Sequence, residues 1–185
     1  MKILAFAASS SSNSINKKLV TYAASLLSNA EIEILDINDY EMPLYSEDKE
    51  KELGQPDAAK RFFNKIGAAD ALLISFAEHN GSYTAAYKNL YDWASRIQPT
   101  VYQGKPMVML ATSPGPGGAR SVLATAKTSA AFGGGDVKAD LSLASFYDIF
   151  DTEAERLTNA GAQARLEAAL ASLSQARGDM APKKF

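Results

Sequence analysis

The 185 residues suit one domain rather than two, and an apolar share of 46% is enough for a real core. With a formal net charge of -2 and no Lys/Arg stripe, nothing marks a nucleic-acid binder. The absence of cysteine excludes a disulfide scaffold, a thiolate nucleophile and a zinc–thiolate site, and fits a reducing, cytoplasmic setting.

Met1-Lys2 ahead of Ile3-Leu4-Ala5-Phe6-Ala7-Ala8 has the outline of a signal peptide, but the apolar run is short and carries one basic residue. A first strand over residues 2–8, buried on both faces, is the better reading. No stretch approaches the ~20 apolar residues of a membrane span. A Ser/Asn loop at 9–14 leads to a predicted helix over Ile15–Ser28 with Leu19, Tyr22, Ala23, Leu26 and Leu27 on one face. Glu31–Ile37 alternates and reads as a second strand; residues 38–56 read as a long loop, of the kind compact domains keep for function. Asp57 is expected to cap a helix from Ala58 to Ile66, ahead of a third strand over Asp70–Phe76. Loop 77–82 enters a helix over about Thr84–Ile97, and Lys105–Ala111 is a fourth strand. A Gly/Pro loop at 113–118 precedes a helix ending near Phe132, where Gly133 to Gly135 stop it. Val137–Leu143 is a fifth strand, Thr152 to about Ala176 a closing helix, and 177–185 a frayed tail on a domain of residues 1–176. Strand and helix alternate five times, which implies an α/β fold with a parallel sheet covered by helices on both faces. Such sheets bind ligands at the carboxyl ends of their strands, so the loops after strands one, three and four are the candidate sites.

The first loop, Ser9 to Asn16, offers hydroxyls, free backbone N–H groups and a helix N-terminus, which together make a phosphate seat. Taken alone it reads equally as a capped Ser-rich turn. It lacks the Gly-Lys-Ser/Thr of a Walker loop and the Gly-x-Gly-x-x-Gly of a dinucleotide fingerprint, so a mononucleotide fits better. The second loop holds His79, the only histidine, without a partner for a metal site. The third, Ser113-Pro114-Gly115-Pro116-Gly117-Gly118, is rigid and poor in side chains; it suits a flat ring against main-chain amides, or simply a tight strand-to-helix turn.

Together these residues resemble the NADPH-dependent FMN reductase family, a flavodoxin-like group that includes chromate-, azo- and quinone-reducing enzymes. Ala8, Ser9, Ser11, Ser14 and Asn16 match its first loop (Gly-Ser-x-Arg-x-x-Ser-x-Asn). Ala77-Glu78-His79-Asn80-Gly81-Ser82 followed by Lys88-Asn89, Asp92-Trp93 and Ser95-Arg96 match its most specific block. Ser113 through Arg120 are similar to its third loop, and the resemblance runs to about residue 150. In three places the chain departs from the pattern: Ser11 replaces an arginine that faces the phosphate, Ala77 a proline, and His79 a tyrosine that packs near the flavin. The Ser11 exchange removes a charge-assisted bond, and the His79 exchange brings a titratable group to the ring.

The resemblance implies a five-stranded, doubly wound flavodoxin-like fold that holds FMN. It also implies hydride transfer from NAD(P)H to flavin N5 and on to a small acceptor such as a quinone. By it, Ser9, Ser11, Ser14, Ile15 and Asn16 surround the phosphate and ribityl end, and Glu78, His79, Asn80, Gly81 and Ser82 border the ring edge. Ser113, Pro114, Gly115 and Gly117 face the other rim, where backbone N–H groups would stabilise charge at N1. No residue is assigned as catalytic, because the flavin carries the chemistry; His79 is a tuning residue. The family forms dimers or tetramers, and the helix with Tyr87, Tyr91 and Trp93 is a candidate contact face, although such aromatics are equally common in cores. The competing readings are a flavodoxin-type electron carrier, for which the chain is insufficiently acidic, and a flavin-free binding module on the same fold.

Overall fold

The computed structural model describes the backbone of residues 1–179 and the side chains of residues 1–173. Five strands form one parallel sheet: β1 (Lys2–Ala8), β2 (Glu31–Leu35), β3 (Ala71–Phe76), β6 (Pro106–Thr112) and β7 (Asp136–Leu143). Their spatial order is β2-β1-β3-β6-β7. The chain steps to one side of β1 to make β2, then to the other side for the rest. The order therefore reverses between β1 and β3, and a crevice opens there at the carboxyl ends of the strands.

The three central strands are buried almost end to end and mostly apolar because both faces are covered. In β1, Ile3, Ala5 and Ala7 meet α1 (Ile15–Ser25) and α7 (Ala160–Asp179), while Leu4, Phe6 and Ala8 meet α3 (Asp57–Ala68), α4 (Ala85–Ser95) and α5 (Arg120–Phe132). The edge strands differ. On β2, Glu33 pairs with Lys2 and Lys65, and on β7 Asp136 and Asp140 pair with Lys138 and Lys127. The two lysines hold the Glu33 carboxyl below the ordinary glutamate range, the Lys65 hydrogen bond first, against an opposing effect of burial.

Several elements differ from the sequence expectations. α3 begins at Asp57 itself; the cap position is Pro56, which has no side-chain bond to give, and Asp57 instead places its charge in the first helical turn. Residues 38–56 are not a bare loop: they contain a 3-10 turn at Ile37–Tyr40 and α2 at Glu47–Leu53. The closing helix starts at Ala160 rather than Thr152. Between β7 and α7 lie a one-turn helix α6 (Phe146–Ile149) and a small hairpin of β8 (Phe150–Asp151) and β9 (Arg156–Leu157). Asp151 folds the hairpin tip by accepting from the N–H groups of Glu153 and Ala154, and Asn159 caps α7 by accepting from Ala162. Residues 177–179, expected in the tail, are helical; residues 180–185 of that tail lie outside the described part. Among the described residues no helix is long and apolar enough to cross a membrane.

Tyr87 and Trp93, expected on a contact face, are 1% and 0% exposed within the chain itself. They are core residues, since α4 turns its aromatic side inward. The Tyr87 and Tyr102 hydroxyls share a hydrogen bond of 2.5 Å, and burial pushes both phenols far above their ordinary values.

Candidate functional site

Among the described residues six polar ones are buried: Ser9, Ser14, Asn16, Ser75, Thr84 and Thr112. All six sit at or just beyond the carboxyl ends of β1, β3 and β6. Burying a polar group costs free energy unless it is hydrogen-bonded, so this concentration needs an account. The bonds supply one. Thr84 caps α4 by accepting from Tyr87 N–H and donates to the Ala8 carbonyl. Ser14 caps α1 by accepting from Lys17 N–H. Ser75 donates to Asn16 Oδ1, and Thr112 Oγ1 donates to the Leu143 carbonyl. A polar belt thus ties the strand ends together beneath the crevice.

Above the belt lies an open cleft of about 250 Å³. Of the expected site residues, Ser9, Ser11, Ser14, Ile15, Asn16, Glu78, His79, Ser113 and Pro114 line it; Asn80, Gly81, Ser82, Gly115 and Gly117 do not. At the first loop, Ser12 and Asn13 form a turn, and the N–H groups of Asn13, Ile15 and Asn16 have no partner among the described residues; the loop opens a helix of 11 residues. Free N–H groups at the first turn of a helix are an arrangement that suits an anion. Lys17, one turn in, pairs at 2.5 Å with Asp36, which follows β2. The ammonium, then the Asn38 N–H, holds the Asp36 carboxyl below its usual range.

Asn80 and Gly81 have a structural task. With φ of 52° and 75° they form the turn of a hairpin between β4 (Glu78–His79) and β5 (Ser82–Tyr83), where two positive φ values match the twist of the flanking strands. The hairpin carries His79, exposed, to the cleft. Its other anchor is Glu78, whose Oε2 accepts from the Val122 N–H in the first turn of α5 at 2.8 Å. Gly115 and Gly117 belong to the third loop but stand off the cleft wall. Neither has a positive φ, and a Cβ on either would meet nothing within 4 Å, so the chain's own packing does not require glycine there.

Lys88, Asn89, Asp92, Trp93 and Arg96, the second half of the most specific motif, face away from the cleft. Asn89 accepts from Tyr45 N–H and donates to the Met42 and Pro43 carbonyls; Trp93 Nε1 donates to Pro43; Arg96 pairs with Glu50. Lys88 and Asp92 pair with each other one turn apart. The motif therefore fastens the segment after β2 to α4.

Sequence reasoning missed Asn13, Ala77, Thr112 and Tyr147, which also line the cleft. Tyr147 is a large aromatic left 63% exposed, on a firm base. Ser145 and Phe146 N–H groups bond to the Gly115 and Ser113 carbonyls, and Phe146 stacks on Phe150 at 4.6 Å in the core. Its position just past the end of β7 is the signal that would have found it. Among the described residues no group of three or more His, Cys, Asp or Glu is arranged to hold a metal.

The strand order and the switch-point cleft define a flavodoxin-like α/β protein. Solved structures agree on the fold. FerB, a flavoenzyme NAD(P)H:(acceptor) oxidoreductase from Paracoccus denitrificans, superposes with a TM-score of 0.75 at 24% identity, over 94% of this chain and 97% of that one. An FMN-dependent NADH-azoreductase of Bacillus anthracis in complex with FMN superposes with a TM-score of 0.64 at 13% identity, over 95% and 99% of the two chains. The chain belongs to the NADPH-dependent FMN reductase family, whose model matches residues 1–148. Among relatives, an NAD(P)H-dependent FMN reductase of Pseudomonas aeruginosa is 40% identical over 116 residues, 62% of this chain and 61% of that protein. A 2-hydroxy-1,4-benzoquinone reductase of a Burkholderia species is 38% identical over 117 residues, 62% of each chain. The matched region thus spans about three-fifths of these relatives' length.

Proposed function

We propose that this chain is an NAD(P)H-dependent oxidoreductase that holds FMN in the switch-point cleft and reduces a small acceptor such as a quinone. The observation that carries the reading is the cleft itself, in a chain whose family is shown. One end has the unpartnered N–H groups of Asn13, Ile15 and Asn16 at the start of α1, suited to a phosphate, and the other has Ser113 and Pro114 of the side-chain-poor third loop, suited to a flat ring. The relatives' names supply the donor and the acceptor class.

When bound, FMN would supply the two-electron redox chemistry that links the nicotinamide to the acceptor. The chain's task is to hold and tune. Ser9, Ser11, Ser14, and the N–H groups of Ile15 and Asn16 bind the anionic end, with neutral hydroxyls where an arginine is usual. Glu78 fixes the hairpin to α5 and so presents His79 at the cleft edge. At the opposite end Ser113 and Pro114 line the cleft, and the Ser113 N–H would stabilise negative charge on the ring there. We further propose that residues 1–176 work as one cytoplasmic domain, assembled as a homodimer or homotetramer through surfaces other than Tyr87 and Trp93.

An anaerobic absorbance spectrum tests this. Flavin bands that bleach with NADPH or NADH and return on adding menadione support the reading. Retained FMN that no nicotinamide bleaches makes the chain an electron carrier, and a protein that ignores FMN refutes the assignment.

A further inference from the structure

Asn16 opens α1 and is 2% exposed. Its side-chain amide spans to the far side of the cleft. Nδ2 donates to the Thr112 carbonyl at 3.1 Å, and Oδ1 accepts from the Thr112 N–H at 3.1 Å. Both main-chain groups of one residue, 96 positions away, are thus read by one side chain, as a neighbouring strand would read them. The orientation is unambiguous: a flipped amide would set N–H against N–H and oxygen against oxygen. Oδ1 also receives the Ser75 hydroxyl at 2.7 Å, which satisfies the one hydroxyl in the otherwise apolar β3.

The two tied points are not arbitrary. Asn16 follows the anion-binding loop directly, and Thr112 immediately precedes the loop that begins at Ser113. No other side chain among the described residues bonds these two segments to each other. Thr112 is held in turn to β7 through the Leu143 carbonyl, so the clamp reaches the strand from which Tyr147 is presented.

We propose that Asn16 is a positioning residue: its side chain sets the separation of the phosphate end from the ring-edge end of the cleft, and does not itself ligate the phosphate. The proposal rests on the flavin reading above. With three of its hydrogen-bonding positions already engaged in the belt, the amide acts on the cofactor through Thr112 and the loop it starts.

A ligand comparison separates the two roles, because riboflavin is FMN without the phosphate. Dissociation constants of both are measured by fluorescence titration of the apo-protein, for the wild type, Asn16→Ala and Ser11→Ala. The visible circular dichroism of the bound ring is recorded alongside, since it reports the ring's surroundings and does not follow global stability. For Asn16→Ala we expect both flavins to bind about tenfold or more weakly, with their ratio kept within about twofold and the ring's dichroism altered. For Ser11→Ala the loss falls on FMN alone. If the alanine variant does not fold, Asn16→Gln, which keeps the amide and lengthens its arm, carries the same comparison. A loss confined to FMN overturns the proposal by making Asn16 a phosphate ligand. Unchanged affinities for both overturn it by showing that the clamp does not set the cleft. A wild type that binds neither flavin removes the flavin assignment and this proposal together, an outcome distinct from both.

Discussion

Asn89→Ala probes the fastening of the segment after β2. The asparagine makes three hydrogen bonds to main-chain groups of residues 42–45: from Tyr45 N–H at 2.8 Å, and to the Met42 and Pro43 carbonyls at 3.2 Å each. A net hydrogen bond is worth about 1 kcal/mol, and the two longer ones share one amide nitrogen, so the loss is about 2 kcal/mol. For a chain of this size that lowers the melting temperature by roughly 4–8 °C. Trp93, with its own bond to Pro43 and its edge contact with Tyr45 at 5.1 Å, remains in place and keeps the segment from detaching altogether. Thermal melts read the global effect, and amide exchange at Tyr45 reads the local one, which should accelerate at least tenfold. Aspartate at this position keeps the acceptor for Tyr45 but turns an oxygen toward two carbonyls, so it should do no better than alanine. A melting temperature within about 1 °C of wild type, with Tyr45 still protected, would refute the account of the motif as a fastening.

Three further outcomes follow from the structure. Gly115→Ala meets no atom of the chain and stands off the cleft wall, so stability should stay within about 0.5 kcal/mol and FMN affinity within about twofold; a tenfold loss of affinity by titration would refute the placement of this glycine outside the cleft. Tyr147→Leu should raise KM for a flat quinone about fivefold with kcat little changed, the ~1 kcal/mol of a lost aromatic contact, and an unaltered KM would count against the tyrosine as a wall of the acceptor site. The Glu33 carboxyl is held below the ordinary value of 4.5, so its contribution to stability is present above that value and is lost as pH falls through the lowered one. Glu33→Gln should therefore be less stable at pH 7 and show a shallower acid decline in urea midpoint between about pH 5 and 2; parallel curves would refute the linkage.

What the sequence made legible follows from how each element is held. β1, β3 and β6 are apolar on both faces and so announce themselves as continuous runs, and from them the alternating fold follows. α2 does not announce itself, because it buries none of its residues and is held instead by the Ser46 cap and the Glu50–Arg96 pair. Asn80-Gly81 is a hairpin signal in its own right, because both residues tolerate the positive φ that the turn requires. Thr152, with Glu155 three residues on, mimics the start of a helix; Phe150 and Leu157, buried and paired across the hairpin, decide otherwise. Asn16 was picked out from its loop, but its partner Thr112 is distant along the chain, and no local pattern encodes that meeting.

The two edges of the sheet bear on how copies of this chain can meet. β2 presents Glu31 and Glu33 beside Lys2 and Lys65, and β7 presents Asp136, Lys138 and Asp140 at alternate positions. An incoming strand that added to either edge would have to set its own side chains against this row of charge. Sheet extension from one protomer into the next is thereby disfavoured at both ends. A second copy would have to meet this one through surfaces other than the sheet edges.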